Sequence, residues 1–145
     1  MLTIVTRIGV LVLFGAAIAG CGASASDLAV GDCFDAPVEV DAEVTDVVKH
    51  DCTEPHTGEV VAVQDVPGED GAAYPTDAQW QDNVSSICIP AFDSFTGLDF
   101  ETEADWDIGY LVPTVDGWDD GDREMSCYAT RVDGAPTSTS LRAAS

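Results

Sequence analysis

His56 is the residue whose surroundings most resemble a catalytic site. It is one of two histidines, it follows Pro55, and Glu54 and Glu59 stand close to it in the sequence. A histidine beside a carboxylate can act as a general base toward a serine hydroxyl, and a helical stretch downstream supplies serines. Such a hydrolase also needs its nucleophile on a sharp exposed turn, and the sequence contains no Gly-x-Ser-x-Gly.

A structural role for His56 accounts for the same pattern. In a tight turn after Pro55, the ring can bond a carbonyl or a carboxylate and fix the start of the strand that contains Glu59. We therefore predict no catalytic residues. Ligand recognition by His56 and Glu59, and hydrolysis that uses His56, remain the alternatives.

A zinc site is the second chemistry to consider. His50, Cys52 and His56 lie close together, and Cys33 could complete a tetrahedral set. Against this, thiolates outside the cytoplasm are normally consumed by disulfide formation. The sequence therefore indicates no metal and no cofactor.

The cysteines beyond position 21 are even in number, which favours two disulfides. They are Cys33, Cys52, Cys88 and Cys127. Three pairings are open. We favour Cys33 with Cys52 and Cys88 with Cys127, because each bridge then ties neighbouring elements.

An acidic segment near the C-terminus is the third candidate, and its aspartates are Asp116, Asp119, Asp120 and Asp122. These carboxylates could surround a calcium ion, which prefers oxygen ligands. Their order departs from the Asp-x-Asp-x-Asp-Gly of an EF-hand loop. The simpler interpretation is a turn in which Trp118 caps the core and Arg123 pairs with nearby carboxylates, so the aspartates are only weak candidates for a metal site.

Charge limits the partners that the chain can bind. It has five basic and 27 acidic residues, and loss of Arg7 with a signal peptide would change the net charge from −22 to −23. This field repels phosphates, which excludes nucleic acid as a partner. The 46% of hydrophobic residues and three tryptophans nevertheless suffice for one modest folded domain.

The N-terminus has the layout of an export signal. Arg7 precedes an apolar run over residues 8–19, which is short for a permanent membrane helix of about 20 residues. The following Ile18-Ala19-Gly20-Cys21 resembles the lipobox of bacterial lipoproteins, in which small residues give the peptidase access and the cysteine is acylated.

We therefore predict a lipoprotein signal peptide at 1–20, lipidation of Cys21, and a lipid-anchored tether at 21–27. Ordinary secretion and a permanent N-terminal membrane helix are the alternatives. Two or three acyl chains would give durable attachment to the extracytoplasmic face of the cell membrane.

The elements that must position these residues follow from hydrophobic periodicity. Residues 27–34, 44–48, 59–66, 107–113 and 124–132 are predicted strands, and 114–123 a turn-rich loop. A capping box at Thr76 and Gln79 starts an amphipathic helix, which Pro90 should kink and Gly97 should end. The fold class is α+β, a small antiparallel sheet packed against one long amphipathic helix, with a loose tail from Gly134.

Several blocks of this sequence resemble the septum formation family of actinobacterial exported proteins over about 28–142. The blocks are Gly31-Asp32-Cys33-Phe34, Cys52-Thr53-Glu54-Pro55-His56-Thr57-Gly58-Glu59-Val60, Tyr74-Pro75, Cys88, and Pro113-Thr114 through Trp118, Gly121, Asp122, Arg123 and Cys127. The resemblance implies an extracytoplasmic domain linked by its family name to cell division. It implies no known reaction and no catalytic residues.

Together these features predict a non-enzymatic, lipid-anchored binding or scaffold module of the cell envelope. Its expected partners are the membrane, through the anchor, and envelope or division proteins. A calcium-dependent or small-ligand-binding module and an envelope hydrolase using His56 are the alternative functions.

Overall fold

The computed structural model describes residues 22–38 and 43–144. The predicted signal peptide and Cys21 lie outside the described residues, so both stay predictions. Within the described part of the chain, no helix is both long and apolar enough to cross a bilayer.

Six strands form an antiparallel sheet in the order β1-β3-β2-β4-β6-β5. They are β1 (Gly22–Ser24), β2 (Cys33–Phe34), β3 (Asp46–His50), β4 (Gly58–Asp65), β5 (Trp106–Leu111) and β6 (Glu124–Arg131). The last four confirm predicted strands with small shifts at their ends. The expected strand at 27–34 contributes only its last two residues.

The residues predicted to form a tether are instead built into the fold. Gly22 lies opposite Val48 in the β1–β3 pair, and a short 3-10 turn, Ala25–Asp27, follows. Without β1, β3 would be an edge strand with unpaired backbone N–H and C=O groups. β1 pairs with these groups, and its small side chains allow the close approach. Residues 22–27 of the predicted tether thus belong to regular elements of the fold.

The long helix begins at the predicted capping box, where both reciprocal bonds between Thr76 and Gln79 are present. It consists of α1 (Asp77–Asn83), a π turn (Val84–Cys88) and α2 (Ile89–Thr96). Pro90 lacks an N–H and crowds the preceding turn, and the wider π turn accommodates it. Gly97 ends the helix at φ 72°, as predicted.

Both favoured disulfides are confirmed. The Cys88–Cys127 bridge joins the π turn to β6, and the Cys33–Cys52 bridge joins β2 to the turn after β3. Their sequence separations are 39 and 19 residues. Constraining the unfolded chain over such loops contributes about 4 and about 3 kcal/mol.

The central strands β4 and β6 carry apolar residues on both faces. The larger core cluster lies between the sheet and the helix and includes Trp80, Phe92 and Met125. Val60 and Tyr128 point to the opposite face, where they pack with Leu28. This follows from the two-residue period of strands, which a bulge between Val60 and Ala62 interrupts once.

Two predictions about the C-terminal part are wrong. The stretch 114–123 contains a short helix, α3 (Val115–Asp119), which the Thr114 hydroxyl caps by accepting from the Gly117 N–H at 3.0 Å. The tail after Gly134 is not loose. Residues 137–143, which we call the C-terminal strap, cross back over the start of β4 and reach Phe95.

Candidate functional site

The first candidate site, which we call the motif site, comprises His56, Glu59 and the Cys33–Cys52 disulfide. Strand pairing assembles it, since Cys33 lies directly opposite Glu59 in the β2–β4 pair. One carboxylate oxygen of Glu59 and the sulfurs of Cys33 and Cys52 lie within 4.8 Å of one another. Cys33, Cys52, His56 and Glu59, which carry the family resemblance, therefore lie in one local structure.

His56 is fully buried, with 0% of its surface exposed. Its Nδ1 lies 2.8 Å from the Glu54 carbonyl oxygen. Because a carbonyl only accepts, Nδ1 carries a proton and donates it in this bond. Within the described residues Nε2 has no hydrogen-bond partner. The ring fixes the turn before β4, which is the contact that the structural interpretation expects.

Glu59 is the buried carboxylate of the motif site, with 2% exposure. The Ser140 hydroxyl donates to its Oε1 at 2.6 Å, and the Leu141 N–H donates to its Oε2 at 2.6 Å. Short charge-assisted bonds of this kind are stronger than neutral ones. They satisfy a group that is costly to bury unpaired.

The C-terminal strap has further attachments on either side of Glu59. Thr137 and His56 exchange two backbone hydrogen bonds, both 2.9 Å. The Arg142 guanidinium carbon lies 4.5 Å from the centroid of the Phe95 ring, and the Ala143 N–H donates to the Phe95 carbonyl at 2.9 Å. At Gly31, with φ +93°, a Cβ would lie 2.5 Å from Nη2 of Arg142, so the guanidinium would have to move.

The four residues considered for zinc do not form a tetrahedral set. The sulfurs of Cys33 and Cys52 are bonded to each other, so neither is a free thiolate. His50 Nε2 lies 3.0 Å from Asp35 Oδ1 instead. In the described ranges, Cys33, Cys52 and Glu59 are the only three potential metal ligands that lie close together.

The second candidate site is the stack of Arg123 on Trp118. The guanidinium carbon lies 3.8 Å from the indole centroid. Its Nη1 donates at 2.7 Å to the carbonyls of Trp118 and Asp122, and its Nη2 donates to the Glu69 carbonyl at 3.2 Å. The expectation that Arg123 pairs with carboxylates is wrong, because the chain reversal after α3 turns backbone acceptors toward it.

Trp118 is almost fully buried and caps the core, as the sequence predicts. Its Nε1–H donates to the Ala72 carbonyl at 2.8 Å. Tyr74, Trp80 and Trp118 pack edge to face with centroids 5.7 to 6.0 Å apart. Burial raises the pKa of Tyr74, whose hydroxyl donates to the Pro113 carbonyl. This cluster fastens the loop after β4 to the core.

The acidic segment does not gather its carboxylates around one point. No three of its aspartates offer ligand atoms within 4.8 Å of one another in the described residues. Asp116 occupies the first turn of α3, where the helix dipole favours a negative charge. Asp122 Oδ1 accepts the Glu124 N–H at 3.0 Å, while Asp119 and Asp120 are exposed.

The motif site is better suited to holding a chain segment than to attacking a substrate. The ring of His56 is inaccessible to solvent, and Glu59 already has two donors. The hydroxyls of Ser85 and Ser86 donate to helix carbonyls one turn earlier. A general base needs its substrate proton within hydrogen-bond reach, and in the described structure the contacts of His56, Ser85 and Ser86 do not join these residues in such an arrangement.

Sequence reasoning missed the strap as part of the motif site. Its residues are mostly small and polar, which is typical of a loose end, and only Leu141 and Arg142 depart from that pattern. Reaching Glu59 from Ser140 requires a contact across 81 positions of sequence, which local patterns do not encode.

Two shallow surface depressions of about 220 Å³ lie in the described part of the structure. One is lined by Pro67, Pro75, Gln79, Asp82 and Asn83, and the other by Ala36, Pro37, Val38, Thr57, Thr130 and Gly134. Neither includes His56, Glu59, Trp118 or Arg123.

Comparison with known proteins identifies a family. The family model described as Septum formation matches residues 30–145, which span both candidate sites and the strap. No curated protein and no solved structure shows detectable similarity to this chain.

Proposed function

The chain belongs to the septum formation family, and on that premise we propose that it is a non-enzymatic, lipid-anchored binding or scaffold module of the cell envelope that works in septum formation. The observation that carries the proposal is the use of the motif residues. His56, Glu59, Trp118 and Arg123 all make contacts within the domain. Motif residues used in this way stabilise the fold, which supports a binding or scaffold role over a reaction centre.

Export is supported by the two disulfides. Such bonds persist in oxidising compartments and are rare where thiols are kept reduced. Four cysteines of the domain are consumed by them, and both bridges connect separate elements of the fold.

Lipid anchoring is supported by the sequence before β1. Ile18-Ala19-Gly20-Cys21 has the small residues that a lipoprotein peptidase requires, and β1 begins at the next residue. The acylated cysteine would therefore hold the folded domain at the outer surface of the cytoplasmic membrane, within reach of membrane-bound division proteins.

The anchor is tested by mass spectrometry of the N-terminal peptide from the membrane fraction. We expect the wild-type protein to begin at an acylated Cys21, and Cys21→Ser to carry no acyl chain. An unmodified Cys21 in the wild-type protein, or a wild-type protein that keeps residues 1–20, would contradict lipidation.

The partner is tested by cross-linking in growing cells, followed by purification and mass spectrometry. The matched control is a tagged anchor, residues 1–27 alone, which shares the membrane attachment but lacks the folded domain. We expect division or wall-synthesis proteins to be enriched with the whole chain and not with the anchor. Equal enrichment with both would contradict a binding role for the domain.

The absence of enzymatic activity is tested with a panel of envelope substrates. We expect the purified protein to leave peptide, ester and glycan substrates intact. Turnover that is lost in His56→Ala, while the variant keeps its fold, would contradict the proposal and favour a hydrolase.

A further inference from the structure

The C-terminal strap differs in charge from the rest of the chain. Residues 134–145 contain no aspartate or glutamate and one arginine, whereas the whole chain has a net charge of −22. The strap lies in a groove whose contacts come from Gly31, His56, Glu59 and Phe95, and which we call the strap groove. A basic segment thus occupies a groove on a strongly acidic domain.

The strap groove has a fixed requirement for hydrogen-bond donors. Both oxygens of Glu59 are satisfied by the strap, one by the Ser140 hydroxyl and one by the Leu141 N–H. Glu59 is 2% exposed with the strap in place, so the strap both covers the carboxylate and supplies its two donors. A segment that covers Glu59 without supplying two donors would leave a buried acceptor unpaired, so the groove favours segments that supply them.

The strap itself is a good candidate for exchange. Most of its side chains are exposed, and segments that bury few apolar contacts open at low free energy. Its backbone is attached through one bridge to His56, one bond to Glu59 and one bond to Phe95. An incoming segment could make the same backbone bonds whatever protein it comes from.

We propose that the strap groove is a binding site for an extended, basic segment of a partner protein, and that the strap is its resident occupant. The expected segment carries a hydroxyl residue, then an apolar residue, then an arginine, matching Ser140, Leu141 and Arg142. The hydroxyl and the next N–H bind Glu59, and the arginine covers Phe95. The acidic surface attracts such a segment over longer distances. This inference rests on the proposed binding function and identifies the surface involved.

The experiment uses the whole folded chain with a specific protease site inserted between Gly134 and Ala135, in the turn after β6. The probe is a fluorescent synthetic peptide of residues 135–144, followed by fluorescence anisotropy. In the uncut protein the tethered strap competes at an effective concentration in the millimolar range. Cutting should therefore strengthen binding of the peptide at least ~10-fold.

Two peptide variants separate the proposed contact from non-specific attraction. Ser140→Ala removes the hydroxyl that bonds Glu59 and should weaken binding about 10-fold or more. Ser138→Ala removes a neighbouring exposed hydroxyl for which the described residues show no hydrogen bond, and should bind like the parent peptide. Equal loss with both variants would overturn the assignment of Glu59 as the recognising group.

A second measurement covers the case in which the cut protein unfolds. In the uncut chain, Ser140→Ala should loosen the resident strap and let the parent peptide bind more tightly, while Ser138→Ala should not. A folded protein that binds no peptide at millimolar concentration in either format overturns the proposal. If two copies of the chain form dimers by exchanging straps, the occupant of the strap groove is a second copy. That result overturns the assignment of the groove to a different partner protein.

These outcomes are distinguishable from failure of the proposed function. Envelope proteins could still be enriched by the whole chain if the strap never exchanges, in which case binding uses another surface.

Discussion

Replacing Arg123 by methionine tests whether the second candidate site is a structural fastener. The guanidinium lies on the Trp118 ring and donates to three backbone carbonyls, of Trp118, Asp122 and Glu69. These contacts join the loop after β4, the end of α3 and the start of β6. Methionine keeps an apolar stem over the indole but supplies none of the donors.

The expected loss of stability follows from these contacts. A hydrogen bond from a charged donor is worth about 1.5–3 kcal/mol, and a cation on a desolvated indole about 2 kcal/mol. Arg123 is only partly buried, and its bonds share one side chain, so the contributions are not additive. Allowing for both effects, we expect Arg123→Met to lower the free energy of unfolding by about 3 kcal/mol.

Arg131 provides the matched control. It also lies over a tryptophan, at 5.7 Å from the Trp106 centroid, and it pairs with Asp133. That pair is exposed, and exposed pairs contribute little because water and salt screen them. Arg131→Met should therefore destabilise the domain much less than Arg123→Met, although both changes remove the same charge.

The assay is equilibrium unfolding in urea of the oxidised domain, followed by circular dichroism because the change alters the surroundings of Trp118. Both variants must first show the native spectrum and intact disulfides. If Arg123→Met lowers the free energy of unfolding no more than Arg131→Met does, the reasoning is refuted, because the contacts of the Arg123 guanidinium would then not stabilise the fold.

Three further predictions concern the disulfides, one carboxyl group and calcium. Replacing Cys88 and Cys127 together by alanine should cost about 4 kcal/mol, and replacing Cys33 and Cys52 about 3 kcal/mol, both measured by urea unfolding. Burial first, and then nearby carboxylates, raise the pKa of Glu124 above its ordinary 4.5. The folded state therefore favours the protonated form, so stability falls as pH rises through the folded pKa. Glu124→Gln should raise the melting temperature at pH 7, with a gain that disappears well below pH 4.5; a gain that persists there would contradict this cause. Titration calorimetry with calcium should show no binding heat at millimolar concentration, because the acidic segment does not converge, and saturable heat would restore the calcium alternative.

Much of the fold could be predicted from local patterns. Alternation located β4, and the capping box at Thr76 located the start of the helix. The favoured pairing of Cys88 with Cys127 is also confirmed, because a buried helix face and a buried strand had to meet. The strand and helix patterns have periods of two to four residues, so a short stretch of sequence is enough to show them.

Features that depend on neighbours in space were missed. The π turn before Pro90 arises because the helix continues through a residue that has no N–H to donate. Packing of the helix against the sheet offsets the cost of the lost hydrogen bond. The edge position of β1 depends on β3 having a free side. Arg123 was expected to bind carboxylates, since the sequence cannot show which way backbone carbonyls turn.

The sequence by itself determined the net charge, the four cysteines beyond position 21, the family motifs and the helix with its cap. Those properties depend on residue types and on short spacings. Only the tertiary structure decided that Glu59 is buried and that Ser140 and Leu141 satisfy it from the far end of the chain. The physical reason is that burial removes the option of bonding to water, so the partner of a carboxylate is chosen by the chain that covers it.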